Sequence, residues 1–294
     1  MKTWKCLLMT VVLPFAVACG NDEEMANWEE NDNQIRFESV HPSQSSRATS
    51  TNFENKDEIG VYMVGHGVDL QLGGNELNNE MFMYNGRLWT SPQKVYWNKG
   101  NHDVFAYYPY QSQVNSIEDF SFKIALDQNV ADMGNGLSGY EASDFLWASA
   151  MNVAASANPI KLKFNHCMSK MVIKLVKGEN FEGEIPNDAI VYVHSTVPMA
   201  SVNLANGGVS KDEYVGTETV IAKKISNSEF TACLVPQNLL SRRPLVEVVT
   251  QGVSYLMEGK ISLRQGTQHT VIVTLSKNPE QAKIEIGGEI VDWK

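Results

Sequence analysis

Hydrophobic and polar residues alternate in short runs along most of the chain, and clusters of Gly, Asn, Asp and Pro separate the runs. Such alternation places successive side chains on opposite faces of a sheet and is typical of an all-β sandwich or barrel. Helical periodicity is never sustained. The predicted strands lie at 34–38, 58–64, 81–84, 87–90, 102–108, 161–166, 170–176, 189–194, 230–235, 245–250, 253–257 and 269–275.

Turn residues mark the connections between these strands. Asn85-Gly86 predicts a hairpin with a type I′ turn, in which both central residues have positive φ. Asn206-Gly207-Gly208 predicts a second turn, and Pro109 ends a strand because it lacks an amide donor. The polar, Gly-rich stretch 127–142 is expected to form a long surface loop or a short helix.

The part of the chain with strand character is longer than one sandwich of roughly 100 residues would need. Ala-, Ser- and Asn-rich sequence near Asn152–Pro159 separates two sets of strands. We therefore expect two β-sandwich domains in tandem, at residues 48–158 and 159–294.

The N-terminus has the order of basic, apolar and small residues that is typical of a secretion signal. Its apolar run, 6–17, is shorter than the about 20 residues that span a bilayer, so residues 1–18 are predicted to be removed. Ala16-Val17-Ala18-Cys19 resembles the lipobox of bacterial lipoproteins, which predicts a diacylglycerol on Cys19 and membrane anchoring of the precursor. The alternative is an ordinary signal peptide with a chance cysteine.

Residues 20–32 form an acidic stretch without apolar periodicity, which we expect to stay flexible. It resembles the acidic tags that direct some lipoproteins to the outer face of the outer membrane, although a plain solvated linker has the same composition. The net charge of −10 becomes −12 once Lys2 and Lys5 leave with the signal peptide. A surface this acidic argues against nucleic acid as a partner, because phosphates require a basic footprint.

The sequence contains no Gly-rich phosphate loop, no nucleophile elbow and no His-Glu-x-x-His motif. It also lacks cysteines at metal-binding spacing, so no enzyme activity, metal site or cofactor is predicted. His166, His194 and His269 each lie in a predicted strand and are interpreted as partnered structural residues.

Two cysteines, Cys167 and Cys233, remain after signal removal and lipidation. Both lie in apolar segments, which favours free buried thiols, although a disulfide stays open because its geometry cannot be tested from sequence. Aromatic residues concentrate in the first half of the chain. They are interpreted as core residues rather than as a sugar-stacking surface; the set comprises Trp89, Tyr96, Trp97, Tyr107, Tyr108, Tyr110 and Trp147.

An ordered set of segments, covering nearly all of the mature chain, resembles the Mfa1-like and FimA-like fimbrillins. The matching segments are Arg47-Ala48-Thr49, Phe53–Tyr62, Trp89 with Tyr96-Trp97, Phe105–Tyr110, Ser143–Ala148, Leu162–Met171, Leu234–Gln237 and Ile290–Trp293. The resemblance implies a lipoprotein precursor with two transthyretin-like Greek-key β-sandwich domains. Such subunits assemble into type V pili, the surface fimbriae, after an arginine-specific protease removes the N-terminal segment.

On this chain the resemblance implies that the segment removed is 19–47, with cleavage between Arg47 and Ala48. The strand lost would be 34–40, whose Ile35 and Phe37 share one face. Arg36 is a poorer cleavage site because it lies inside that strand. Alternatively, Arg47 is only a linker residue and the protein stays anchored.

A sandwich that loses a strand exposes unpaired edges and an apolar groove, which another subunit's strand can fill. The predicted donor is 283–293, with side chains of Ile284, Ile286, Ile290 and Trp293. The alternative is that this segment pairs within its own domain.

The leading hypothesis is therefore a structural fimbrial subunit of the outer membrane surface, with other pilus subunits as partners. The rival is an uncleaved surface lipoprotein, either a pilus anchor or an adhesin that contacts host or bacterial glycans or proteins.

Overall fold

β-Strands account for nearly all regular structure in this computed structural model, which describes residues 33–40, 53–286 and 291–293. The strands of the first half are β1 Phe37–Val40, β2 Glu58–Gly65, β3 Leu77–Tyr84, β4 Trp89–Thr90, β5 Asn101–Tyr108, β6 Phe120–Lys123 and β7 Leu146–Ala154. Those that follow are β8 Ile160–Lys163, β9 Asn165–His166, β10 Ser169–Lys177, β11 Ile190–Thr196, β12 Met199–Asn203, β13 Gly208–Lys211, β14 Glu218–Ile221, β15 Lys223–Lys224, β16 Glu229–Leu234, β17 Gln237–Thr250, β18 Val253–Leu263, β19 Thr267–Leu275, β20 Lys283–Ile286 and β21 Val291–Asp292.

The helices within the described residues are two 3₁₀ turns, Glu141–Ser143 and Pro279–Gln281. The all-β prediction is therefore confirmed. The stretch 127–142 is mostly irregular, and the first of these turns begins at its end.

An eight-stranded sheet organises the first half, in the order β8-β1-β4-β3-β2-β5-β7-β9. Its central strands, β2 and β5, are buried on both faces. Val61 and Met63 on one face join the N-terminal cluster, the apolar core that contains Ile35, Phe37 and Trp89. Side chains on the opposite face join a second core, defined next, so residues 61–64 of β2 and 104–108 of β5 are continuously hydrophobic.

The second core, the shared cluster, draws from both halves of the chain. It contains Tyr62 and Phe105 from the first half together with Ile173, Val246 and Val271 from the second. The strands that enclose it belong to the sheet β15-β16-β10-β19-β20, to which β21 is added, and to the sheet β14-β11-β17-β18. A three-stranded sheet, β13-β12-β6, joins residues 120–123 to the second half. The division into domains 48–158 and 159–294 stays a prediction.

The two predicted turns are present, but the first differs in type. β3 and β4 form the expected hairpin, with Tyr84 opposite Trp89. Gly86 has a φ of 90°, whereas Asn85 is not among the residues of positive φ, so the turn is not type I′. The Asn85 side chain instead accepts hydrogen bonds from the backbone N–H groups of Arg87 and Leu88 (3.0 and 2.8 Å) and caps a four-residue loop.

The histidines and cysteines have structural environments, as expected. His166 Nδ1 lies 2.9 Å from Asp144 Oδ1, His194 Nε2 lies 3.0 Å from Glu247 Oε2, and the His269 ring contacts Thr267. Cys167 and Cys233 are buried and free, which agrees with the interpretation as packed thiols.

Both thiols are expected to resist modification in the folded protein. Burial raises the pKa of Cys167 to about 12 and that of Cys233 well above its usual value, so little thiolate forms near pH 8. We expect a chain that begins at residue 33 to show no reaction with a thiol reagent at that pH until denaturant is added, when both cysteines react. Rapid labelling of the native chain would contradict this packing.

Candidate strand-exchange site

The N-terminal segment, residues 33–40, lies inside the eight-stranded sheet. β1 pairs in parallel with β8 over four positions and is antiparallel to β4 through Phe37 and Trp89. Upstream of β1, the Ile35 N–H donates to the Val95 carbonyl at 2.9 Å. The segment therefore supplies backbone partners on both of its sides, and its loss would leave two unpaired edges.

The side chains predicted to fill the groove do so in this chain. Ile35 and Phe37 are fully buried. The Phe37 ring packs edge-on against Phe82, with ring centroids 4.8 Å apart. Each side chain of this size contributes about 1.5–3 kcal/mol when it is removed from water, so the segment is bound by packing as well as by backbone hydrogen bonds.

Aromatic residues line the groove that the segment occupies. Phe53 packs edge-on against Trp89 at 4.8 Å and against Phe164 at 5.2 Å. Trp89, Trp97, Tyr107 and Tyr108 are buried, which confirms their interpretation as core residues. Tyr110 and Trp147 are only partly buried, and 52% of Tyr96 is exposed.

Of the two arginines considered for cleavage, Arg36 is buried. Arg36 is only 8% exposed and donates from Nη2 to the Ala157 carbonyl at 2.9 Å, which protects it from a protease. Arg47 and Ala48 lie outside the described residues, as does the lipidation candidate Cys19. Processing and lipidation at these positions stay predictions.

The C-terminal segment lies at the edge of a sheet, whereas the N-terminal segment lies between two strands. β20 is antiparallel to β19, with Ile284 opposite Val273 and Ile286 opposite Val271. Both isoleucines are only half-buried. The Ile286 side chain packs directly on Gly259. A Cβ atom added to Gly259 would lie only 2.2 Å from Ile286 Cδ1, so a larger residue there would clash. In this single chain the predicted donor strand thus pairs within its own fold.

The end of the chain is held by Trp293. Its ring stacks on His166 with centroids 3.9 Å apart and an interplanar angle of 6°. The backbone N–H of Trp293 donates to the Gly266 carbonyl at 2.8 Å, and the Lys170 ammonium lies 5.8 Å from the centroid of the Trp293 ring. Ile290, the remaining donor candidate, lies outside the described residues. Trp293 is therefore the main apolar anchor of the final described residues.

Removing this anchor is expected to loosen the C-terminal strands without unfolding the protein. Trp293→Ala deletes the stacking and cation–π contacts but leaves the β19–β20 hydrogen bonds in place. We expect backbone amides of 283–286 and 291–293 to exchange hydrogen about tenfold faster, since about 1.4 kcal/mol of local stability corresponds to that factor. Trp293→Phe retains stacking and serves as the control. Unchanged exchange in Trp293→Ala would show that Trp293 does not hold these strands.

Sequence reasoning missed the partners of the N-terminal segment. The predicted strand 161–166 corresponds to β8 and β9, but nothing in its pattern showed that β8 pairs in parallel with β1. The backbone at Val95–Trp97, which flanks the same segment, also carried no strand pattern. A parallel pairing between residues over 100 positions apart leaves no local signal in the sequence.

Two features are absent from the described residues, a metal-binding cluster and a membrane-spanning helix. No group of three or more His, Cys, Asp and Glu side chains could hold a metal ion there. Among the same residues, no helix is long and apolar enough to cross a membrane.

Comparison with solved structures shows the fold. A candidate cell adhesion protein from Bacteroides uniformis is 14% identical, with 90% of this chain and 100% of that chain covered and a TM-score of 0.67. A second such protein, from Bacteroides ovatus, is 21% identical, with 89% and 97% covered and a TM-score of 0.66. A fimbrial protein from Bacteroides ovatus is 16% identical, with 82% and 48% covered and a TM-score of 0.51.

The comparison with curated proteins finds no match. A family model described as fimbrillin-like matches residues 46–293, which include β2 to β21 and begin just before the predicted cleavage site. The chain belongs to the fimbrillin-like family.

Proposed function

We propose that this protein is a structural subunit of a surface fimbria that polymerises by donor-strand exchange. Family membership supports the coarser part of this statement, namely a non-catalytic fimbrial subunit at the cell surface that assembles with other pilus subunits. The strand exchange, the processing and the lipid anchor are our proposals.

The observation that carries the proposal is the contrast between the two end segments. Residues 33–40 occupy an interior position between β8 and β4, with Ile35 and Phe37 fully buried, whereas β20 lies half-buried at a sheet edge. An edge strand has hydrogen bonds on one side only and can detach at lower cost than an interior strand. Filling the groove with a strand is therefore expected to release more free energy than detaching β20 from β19 costs.

The two segments also present similar side-chain patterns. Ile35 and Phe37 are separated by one residue and share a face, as do Ile284 and Ile286. Because the side-chain period of a strand is two, a donor with this spacing can place both isoleucines in the positions that Ile35 and Phe37 vacate. Main-chain hydrogen bonds would supply the remaining affinity.

Cleavage after Arg47 would make the exchange possible. A covalently linked 33–40 segment returns to its groove after every opening, because its local concentration is high. Once cut, the segment that leaves is diluted, and a neighbour's C-terminal strand can take its place. The lipid on Cys19 would leave with it, so the precursor is expected at the outer membrane and the processed subunit in the fimbrium.

The test is limited digestion of the purified precursor with an arginine-specific protease. We expect a new N-terminus at Ala48 and concentration-dependent oligomers by size-exclusion chromatography with light scattering. Arg47→Ala should stay uncut and monomeric, and Arg36→Ala, the matched control, should still be cut. A chain that is cut at Arg47 but stays monomeric would contradict the proposal. A native chain that still begins at acylated Cys19 would favour an anchor instead.

A further inference from the structure

A cleft of about 490 Å³ opens on the four-stranded sheet β14-β11-β17-β18, and none of the residues that line it belongs to either end segment. Val193 and Val248 point into the shared cluster, so His194 and Glu247, which alternate with them, lie on the opposite face. The side chains of His194 and Glu247 are 20% and 25% exposed. The volume lies within the range of small-molecule sites.

A chain of hydrogen bonds crosses all four strands at the base of this cleft. Thr219 Oγ1 lies 2.9 Å from His194 Nδ1, and His194 Nε2 lies 3.0 Å from Glu247 Oε2. Ser254 donates to Glu247 Oε1 at 2.5 Å. The imidazole and the carboxylate are each held from two sides, so their orientation is fixed before any ligand arrives.

Two backbone irregularities meet at the same place. β11 shifts register relative to β14 between Val193 and Thr196, and Ser195 there has a φ of 61°. β17 shifts register relative to β18 between Pro244 and Val246. Ser195 Oγ donates to the Pro244 carbonyl at 2.9 Å and joins the two irregular stretches. Positive φ at a non-glycine residue costs free energy, and such strain and bulges concentrate at binding sites.

The lining of the cleft selects a class of ligand. Glu218 and Glu247 are acceptors, and the carboxylate of Glu247 has about four lone-pair positions, of which Ser254 and His194 occupy two. Thr217 adds a hydroxyl group. Pro244 and Leu256, the latter 54% exposed, supply an apolar wall. A sugar ring carries hydroxyl groups beside an apolar C–H face and so matches this lining. The two carboxylates of the cleft would repel a sugar that carries a negative charge.

We propose that this cleft binds a neutral pyranoside. The ring hydroxyls donate to Glu247 and Glu218, and the C–H face of the ring packs on Leu256. The inference is separate from strand exchange, since none of these residues belongs to the N-terminal segment or the donor strand. It gives a fimbrial subunit a contact with neutral surface glycans.

The test is saturation-transfer NMR on the unprocessed full-length protein. The probes are the methyl glycosides of glucose, galactose and mannose at millimolar concentration, with methyl glucuronide as the anionic counterpart. We expect at least one neutral glycoside to bind and the glucuronide to give no transfer. Loss of a charge-assisted hydrogen bond in Glu247→Gln is expected to weaken binding by about tenfold or more.

Two further variants keep the result interpretable. Glu218→Gln removes an exposed cleft carboxylate and should weaken binding even if Glu247→Gln disturbs the fold, which melting curves would show. Glu258→Gln alters an exposed carboxylate of β18 that pairs with Arg242 outside the cleft, and should leave binding unchanged. The proposal is overturned if no neutral glycoside binds, if the glucuronide binds equally well, or if both cleft variants bind like the parent.

Discussion

Replacing Phe37 by alanine is expected to lower the free energy of unfolding of the unprocessed chain by about 3–5 kcal/mol, the cost of deleting a buried aromatic ring and leaving a cavity. Phe37 is fully buried, contacts Phe82 edge-on and lies opposite Trp89. We expect few other single substitutions in the groove to cost as much stability, because the Phe37 ring is buried at the position where β1 pairs with both β4 and β8.

Urea unfolding, followed by tryptophan fluorescence, measures this loss. Glu38→Ala is the matched control, since Glu38 is exposed on the same strand and surface changes usually stay within about 0.5 kcal/mol. A loss below about 1 kcal/mol for Phe37→Ala would mean that the groove collapses readily when it is emptied. An empty groove that closes by itself could not accept a donor strand.

Replacing both Ile284 and Ile286 by alanine is expected to weaken association of the processed subunit by about 100- to 10,000-fold, since two buried isoleucines contribute about 1.5–3 kcal/mol each. In the single chain the same side chains are only half-buried at a sheet edge. The monomer should therefore lose much less stability than the polymer.

Sedimentation velocity after arginine-specific cleavage, at a series of concentrations, measures the association. Ile190→Ala changes an isoleucine that is 43% exposed on β11, a strand that pairs with neither end segment, and this variant should polymerise normally. If the double variant polymerises as well as the parent, the C-terminal strand is not the donor.

The two end segments show which structural features the sequence could predict. Alternation revealed that Ile35 and Phe37 share a face, and likewise Ile284 and Ile286, because side-chain direction is a local property of a strand. The burial of Ile35 and Phe37 agrees with that pattern. What alternation could not reveal is which strands pair with which, as for β1 with β8, since pairing depends on contacts between distant residues.

The turn at Asn85-Gly86 and the cleft around His194 could also be predicted only in part. Asn85-Gly86 correctly predicted a hairpin, but the side chain of Asn85 bonds to the backbone that follows it and favours a longer loop over the type I′ turn. His194 was correctly interpreted as a partnered residue. Its partners, Thr219 and Glu247, come from strands far apart in sequence, so the cleft around it could not be predicted.

The stacking of Trp293 on His166 could not be predicted from the sequence either. Both residues belong to segments that resemble the fimbrillins, but the resemblance gives their order along the chain and not their contact. The contact links β9 to the last described residue. It explains how an edge segment with half-buried isoleucines stays docked in the single chain.

The most direct test of strand exchange is displacement of the N-terminal segment by a peptide of residues 283–293. The acceptor is a subunit that ends at residue 282, carries a fluorophore on the N-terminal segment and has been cleaved after Arg47. Unlabelled peptide 33–40, added in excess, shows that the groove can exchange its strand. The account predicts that peptide 283–293 releases the labelled segment and forms a one-to-one complex, whereas a peptide with Asp at positions 284 and 286 does not. A groove that exchanges peptide 33–40 but never takes up peptide 283–293 would contradict it.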